Sequence, residues 1–132
     1  MFMLGICGLP NSGQHLLIKE MSRVLNFHFE TRMSKEILNK CIANKKSFII
    51  MDDSFIFKSS RKEVEEKVLE AGFLFEWLFF ENNKEQCIIN SLGDPDEIKF
   101  IEEHAVEYII PNSVDEKDIV KVAKLRNDND YS

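Results

Sequence analysis

The sequence predicts a three-layer α/β domain built on a mostly parallel sheet of about five strands. Three observations carry this prediction. Short apolar runs alternate with segments of helical period along the chain, a glycine loop joins the first run to the first helix, and a later run ends in an acidic pair. Such alternation builds βαβ units with right-handed crossovers and helices on both faces of the sheet. At 132 residues the chain is the size of one domain, expected over 1–126, with a polar tail prone to fraying over 127–132.

Residues 2–7 form an apolar run that stops at a turn signal, too short for a helix, and are read as a buried strand. A loop over 8–13 leads into a helix over 14–25, with Leu17, Met21, Val24 and Leu25 as its apolar face. Residues 27–30 are a second short strand, and Ile37, Leu38, Cys41 and Ile42 mark a helix within 32–44. The compact run 47–51 ends in Asp52 and Asp53, as a buried parallel strand does on reaching the carboxyl edge of a sheet.

Ser60 with Glu63 reads as a capping box, followed by an apolar face of Val64, Val68 and Leu69 and a C-terminal cap at Gly72. The aromatic-rich run 73–80 is expected to be another inner strand. Its Phe73, Phe75, Trp77, Phe79 and Phe80 then belong to the core rather than to a nucleobase-stacking box. Asp94, Pro95 and Glu97 start a helix that runs to about His104. Residues 106–110 are expected to be a last strand closed by Pro111, and Ser113 with Glu116 to cap a final helix carrying Ile119, Val122 and Ala123.

The net charge of −6 argues against a broad nucleic-acid-binding face, which needs clustered Lys and Arg. No apolar run is long enough to span a membrane, and the start lacks a basic, then apolar leader, so a cytoplasmic protein is expected. Cys7, Cys41 and Cys87 are odd in number, widely spaced and without a CxxC pair or ligand cluster. They read as core thiols in a reducing compartment, not as a disulfide framework or a zinc site. His28 and His104 have no cysteine or carboxylate partner at metal-ligand spacing and read as structural or exposed; Arg61 and Lys62 read as solvated surface charges.

The loop Gly8-Leu9-Pro10-Asn11-Ser12-Gly13-Gln14-His15 carries the two glycines of a Walker A motif at the right separation, between a strand and a helix. Gln14 stands where that motif has lysine, and His15 where it has Ser or Thr. Backbone N–H groups and the helix dipole bind anions without either side chain, so Gly8, Asn11, Ser12, Gly13, Gln14 and His15 are the candidate phosphate-binding residues. The other reading is a tight turn with no ligand. Asp52 or Asp53 is a candidate Mg²⁺-holding carboxylate, or alternatively a loop start or helix cap.

The loop resembles that of P-loop small-molecule and polynucleotide kinases, in which a Gly-x-Pro-x-Ser-Gly run precedes the lysine. The strand ending in Asp52 and Asp53, with the helix, Gly72 and strand after it, is similar to the middle of bacteriophage-type deoxynucleoside monophosphate kinases. Glu107-Tyr108-Ile109-Ile110-Pro111-Asn112 is similar to their C-terminal strand. The resemblance implies a P-loop kinase-like fold, ATP and Mg²⁺ as ligands, a phage origin and action in the host cytoplasm. Such kinases also neutralise the transferred phosphoryl with lid arginines. The corresponding segment here, 81–105, has no arginine and only Lys84 and Lys99 as cations. The expected function is therefore a degenerate nucleotide-kinase-like protein that binds nucleotide or phosphate weakly, transfers phosphoryl groups inefficiently and acts through a protein partner. The alternatives are an active nucleotide or polynucleotide kinase with an unconventional loop, and an acidic scaffold or inhibitor protein with no ligand.

Overall fold

The computed structural model describes residues 1–124. Its strands are β1 Phe2–Cys7, β2 His28–Glu30, β3 Phe48–Met51 and β4 Leu74–Phe79; its helices are α1 Gln14–Leu25, α2 Lys35–Ala43, α3 Lys58–Glu70, α4 Lys84–Asn90 and α5 Pro95–His104. The four strands pair in parallel in the order β2-β3-β1-β4. Burial explains why β1 and β3 lie inside: both are apolar on two faces, as a parallel strand between helical layers must be. Among the described residues no helix is long and apolar enough to cross a membrane.

Alternation along the strands splits the interior in two. Met3, Cys7, Phe48, Ile50 and Phe79 face a large core completed by Leu38 and Cys41 of α2, Val64 and Val68 of α3, Cys87 of α4 and Ile101 of α5. Leu4, Ile6, Ile49 and Met51 face a smaller core closed by Ile18 of α1. Helix α1 therefore covers one face and α2 to α5 the other. The loops after β1 and β3 consequently lead to opposite faces, which opens a crevice between them at the carboxyl edge.

Helix α3 ends as expected. Gly72 takes φ 86°, its N–H bonds the Leu69 carbonyl at 3.0 Å, and the Phe73 N–H bonds the Val68 carbonyl at 2.9 Å, the two bonds of a Schellman motif. Its start differs. The helix begins at Lys58, flanked by Phe57 with no side-chain cap, so Ser60 and Glu63 lie inside the first turns and make no capping box. Asp94 does cap α5, accepting from the N–H groups of Asp96 and Glu97, with Pro95 in the first turn. In α1 it is Ile18 that is buried, while Val24 is 75% exposed; the stripe faces the sheet one residue away from its expected centre.

The fifth strand and the last helix are not formed. Residues 106–110 bury only Tyr108, with Val106 and Ile109 exposed. The Asn82 side chain donates to the Ala105 and Tyr108 carbonyls, and the Tyr108 hydroxyl donates to the Cys7 and Phe80 carbonyls, which anchors this segment through Tyr108 rather than through a strand ladder. The place beside the end of β4 goes instead to Val120, paired with Phe80 in a single parallel bridge. Around Glu116 there is only a 3-10 turn over Glu116–Asp118, capped by Asp115 rather than Ser113, and the chain through Ile119, Val122 and Ala123 forms no helix. β4 is thus the edge strand rather than an inner one, with Leu74 and Glu76 exposed. The polar tail expected over 127–132 lies outside the described residues.

Candidate functional site

The chain leaves β1 into a loop whose interior holds its own side chains. A Cβ on Gly8 would sit 3.1 Å from Gln14 Nε2 and 3.2 Å from Ser12 Oγ. Asn11 (φ 66°) and Gly13 (φ 108°) take left-handed conformations that turn the backbone sharply into α1. Gln14 is only 4% exposed. Its Nε2 donates to the Leu9 carbonyl at 2.8 Å, and its Oε1 accepts the Ser12 N–H at 3.0 Å. Ser12 is fully buried; its hydroxyl donates to the same Leu9 carbonyl at 2.7 Å and lies 3.3 Å from Cys87 Sγ. The carboxamide oxygen of Gln14 thus occupies an N–H that would otherwise meet an anion. The N–H groups of Gly13, Gln14 and His15 have no partner among the described residues.

Asn11 and His15 do face the crevice, a cleft of about 800 Å³ whose opposite wall is the turn from α4 to α5. Asp94, Asp96 and Glu97 line that wall, and Asp53 borders a smaller hollow of about 200 Å³ against the same loop. No lysine or arginine lines either space. The Asn11 amide bridges the rim, donating to Ser91 Oγ at 2.9 Å and to the Glu97 carboxylate. Desolvation, reinforced by Lys19, lowers the His15 pKa, so the imidazole is neutral near pH 7 and adds no positive charge. Lys84 and Lys99 are exposed, and Lys99 pairs with Glu103 at 3.9 Å. Lys62 is exposed as expected, whereas Arg61 is not a surface charge: it is 6% exposed, donates to the Phe55 carbonyl at 2.7 Å and lies over the Phe79 ring.

The two aspartates after β3 have different surroundings. Asp52 accepts the Met33 N–H at 2.8 Å and the Ser54 N–H and hydroxyl at 3.0 and 2.6 Å, tying the end of β3 to the segment before α2 and capping a 3-10 turn. Asp53 is an exposed residue that borders the acidic hollow. Desolvation first, then the Asp52 and Glu97 charges, push its pKa from 3.8 up to about 6. A carboxyl raised on folding favours the folded state when protonated. That contribution is present below pH ~4 and is lost as pH rises through about 6. Asp53→Asn is therefore expected to be more stable than the parent at pH 7.5, with the difference disappearing toward pH 4. Urea midpoints across that range check it, and a constant difference would rule the mechanism out.

A parallel sheet with a glycine loop between its first strand and a helix, and a crevice at the carboxyl edge, has a counterpart among solved structures. The chain superposes on the crystal structure of a gluconokinase from Sinorhizobium meliloti 1021 with a TM-score of 0.62, over 92% of this chain and 82% of that one. The fold is P-loop kinase-like. The two sequences are 9% identical, so the likeness speaks for the fold alone. No protein-family model matches the sequence, and no curated protein matches it.

The P-loop is also buckled from outside by residues that sequence reasoning missed. The Ala123 N–H donates to the Ser12 carbonyl at 3.0 Å, and Asn90 Nδ2 donates to the Asn11 and Ala123 carbonyls at 2.9 and 2.7 Å. Glu81 accepts the Val122 N–H at 3.1 Å and holds the same strap one residue earlier. Helix α4, which carries Asn90, went unread; its signal was Asn83, three residues before Gln86, whose N–H its side chain accepts. His28 is exposed, as expected, but it does not lack partners. Glu30, two residues along β2, and Cys41 of α2 bring a carboxylate and a thiol beside its ring.

Proposed function

We propose that the protein is a degenerate nucleotide-kinase-like protein that carries out no efficient phosphoryl transfer, binds nucleotide or phosphate at most weakly, and acts through a protein partner in the cytoplasm. The observation that carries this reading is the Gln14 side chain folded into its own P-loop beneath an acidic rim. Phosphoryl transfer depends on positioning and on cationic stabilisation of the phosphates. Here the lysine position instead supplies a neutral group bonded to Leu9 and Ser12, and the facing wall presents Asp94, Asp96 and Glu97. Asp52 already accepts three hydrogen bonds, which leaves little of it for a metal. A cleft of this charge suits a basic partner segment better than a polyphosphate.

The test is the thermal unfolding midpoint with and without millimolar ATP, ADP, deoxynucleoside monophosphates and inorganic phosphate, each with and without Mg²⁺, alongside a radiolabelled transfer assay. A ligand that binds only the folded state must raise the midpoint. The expected result is little or no shift and no labelled product. Mg²⁺-dependent transfer to a deoxynucleoside monophosphate or to a 5′-hydroxyl end would overturn the reading in favour of an active kinase.

A further inference from the structure

We propose that His28, Glu30 and Cys41 form a zinc-class metal site that pins the edge strand β2 to helix α2. His28 and Glu30 are two residues apart on β2, so the strand's period of two directs both side chains to the same face. Cys41 comes from the buried side of α2. The ligand atoms of all three lie within 4.8 Å of one another, and His28 Nε2 is 2.8 Å from Glu30 Oε1. Tetrahedral zinc, with bonds of about 2.0–2.3 Å, sets its ligand atoms roughly 3.3–3.7 Å apart. The sulfur must approach by about 1 Å and the imidazole and carboxylate must part slightly, adjustments within the reach of side-chain rotation at an exposed strand edge.

A cavity of about 470 Å³ bordered by both His28 and Cys41 gives the ion a route in and leaves a fourth position for water or the Asn44 side-chain oxygen. Thiolate, imidazole and one carboxylate are the donor set of Zn²⁺ rather than of Mg²⁺ or Ca²⁺, which take oxygen. On binding, the Cys41 thiol gives its proton to solvent and the sulfur–metal bond replaces it, while Glu30 supplies the second negative charge. Lys46 lines the same cavity, and its ammonium opposes the ion. The other histidine–carboxylate group, His104 with Glu103 and Glu107, gathers no thiol among the described residues and serves as an internal control.

The experiment uses the reduced full chain, titrated with ZnCl₂ by calorimetry and with CoCl₂ by absorption. One equivalent is expected to bind, with Co²⁺ giving a thiolate-to-metal charge-transfer band and the strong visible bands of a tetrahedral ion, and with Zn²⁺ raising the unfolding midpoint. Loss of outer-shell partners alone costs roughly 10–100-fold in metal affinity. His28→Gln and Cys41→Ser are thus each expected to weaken binding at least tenfold, and His104→Gln to leave it unchanged. His28 is exposed, so His28→Gln keeps the test sharp if Cys41→Ser fails to fold. Absence of saturable Zn²⁺ binding, binding insensitive to His28→Gln, or a Co²⁺ spectrum without the thiolate band would each overturn the proposal.

Discussion

Gly5→Val is expected to remove about 3 kcal/mol or more of folding stability, a large share of the ~5–15 kcal/mol that holds a small domain together. Gly5 lies in the central strand β1, in register with Ile50 of β3 and Trp77 of β4. A Cβ there would sit 2.1 Å from Trp77 Cζ3 and 2.2 Å from Cε3, where carbon atoms rest about 3.5–4.0 Å apart. Both partners are held in place. The Trp77 indole N–H is held by Glu65 at 3.0 Å, and its ring packs edge-on to Phe55 at 5.1 Å. β1 is hydrogen-bonded on both sides. The gain in strand propensity from valine, at most ~1 kcal/mol, does not offset the clash. Urea denaturation of Gly5→Ala and Gly5→Val measures the loss, and adding Trp77→Leu to each should recover part of it because the two sites share one volume. A Gly5→Val midpoint equal to that of the parent would mean that the indole does not cover Gly5.

The same local contacts show which parts of the fold were legible. β1 and α1 have the bounds read from the sequence because the apolar period changes abruptly at Gly8 and Gly13, and β3 ends where expected, starting one residue late, because its apolar run meets two aspartates. The segment 106–110 has equally good strand composition, but a strand also needs a neighbour. The Asn82 amide binds the Ala105 and Tyr108 carbonyls, and Val120 holds the adjacent place on β4. Both are long-range facts that no local window contains. Likewise, Ser113 and Glu116 have capping-box spacing, yet Asp115 takes the cap and the chain runs on without a helix to meet Phe79, Glu81 and Ser12. Period 3.6 identified the apolar side of α1 without fixing which of two adjacent rows would meet the sheet, and so promoted Val24 over Ile18.

The site divides in the same way. The glycines and the missing lysine are chain-order facts and were legible; the direction of the Gln14 side chain was not. An exposed glutamine would have left the loop open, and only the distances to Leu9 and Ser12 show it turned inward. The acidity of the rim was half legible, since Asp94 and Glu97 were assigned to a helix start without sight of what that helix end faces. The convergence of Cys41 on His28 and Glu30 depends on α2 packing against the sheet beside its edge strand, a consequence of topology and not of spacing.

Gln14→Lys combined with Glu97→Gln is expected to raise affinity for ATP and inorganic phosphate at least tenfold, about 1.4 kcal/mol. The lysine ammonium retains a donor for the Leu9 carbonyl and has no acceptor, so the Ser12 N–H is freed to join those of Gly13, Gln14 and His15 in facing an anion. It also places a positive charge where the loop now has none. Gln14→Lys alone is expected to act more weakly, because the Glu97 carboxylate beside Asn11 still opposes phosphate and would attract the new ammonium to itself. Glutamine at 97 retains an acceptor for the Asn11 amide, so the rim contact survives the loss of charge. Calorimetric titration of the parent, both single variants and the double variant separates these contributions, with the double exceeding the sum of the singles. Phosphoryl transfer is not expected even then, since no cation lines the facing wall. If the double variant binds no better than the parent, the P-loop has lost its anion-binding geometry as well as its lysine, and the fold serves as a scaffold alone.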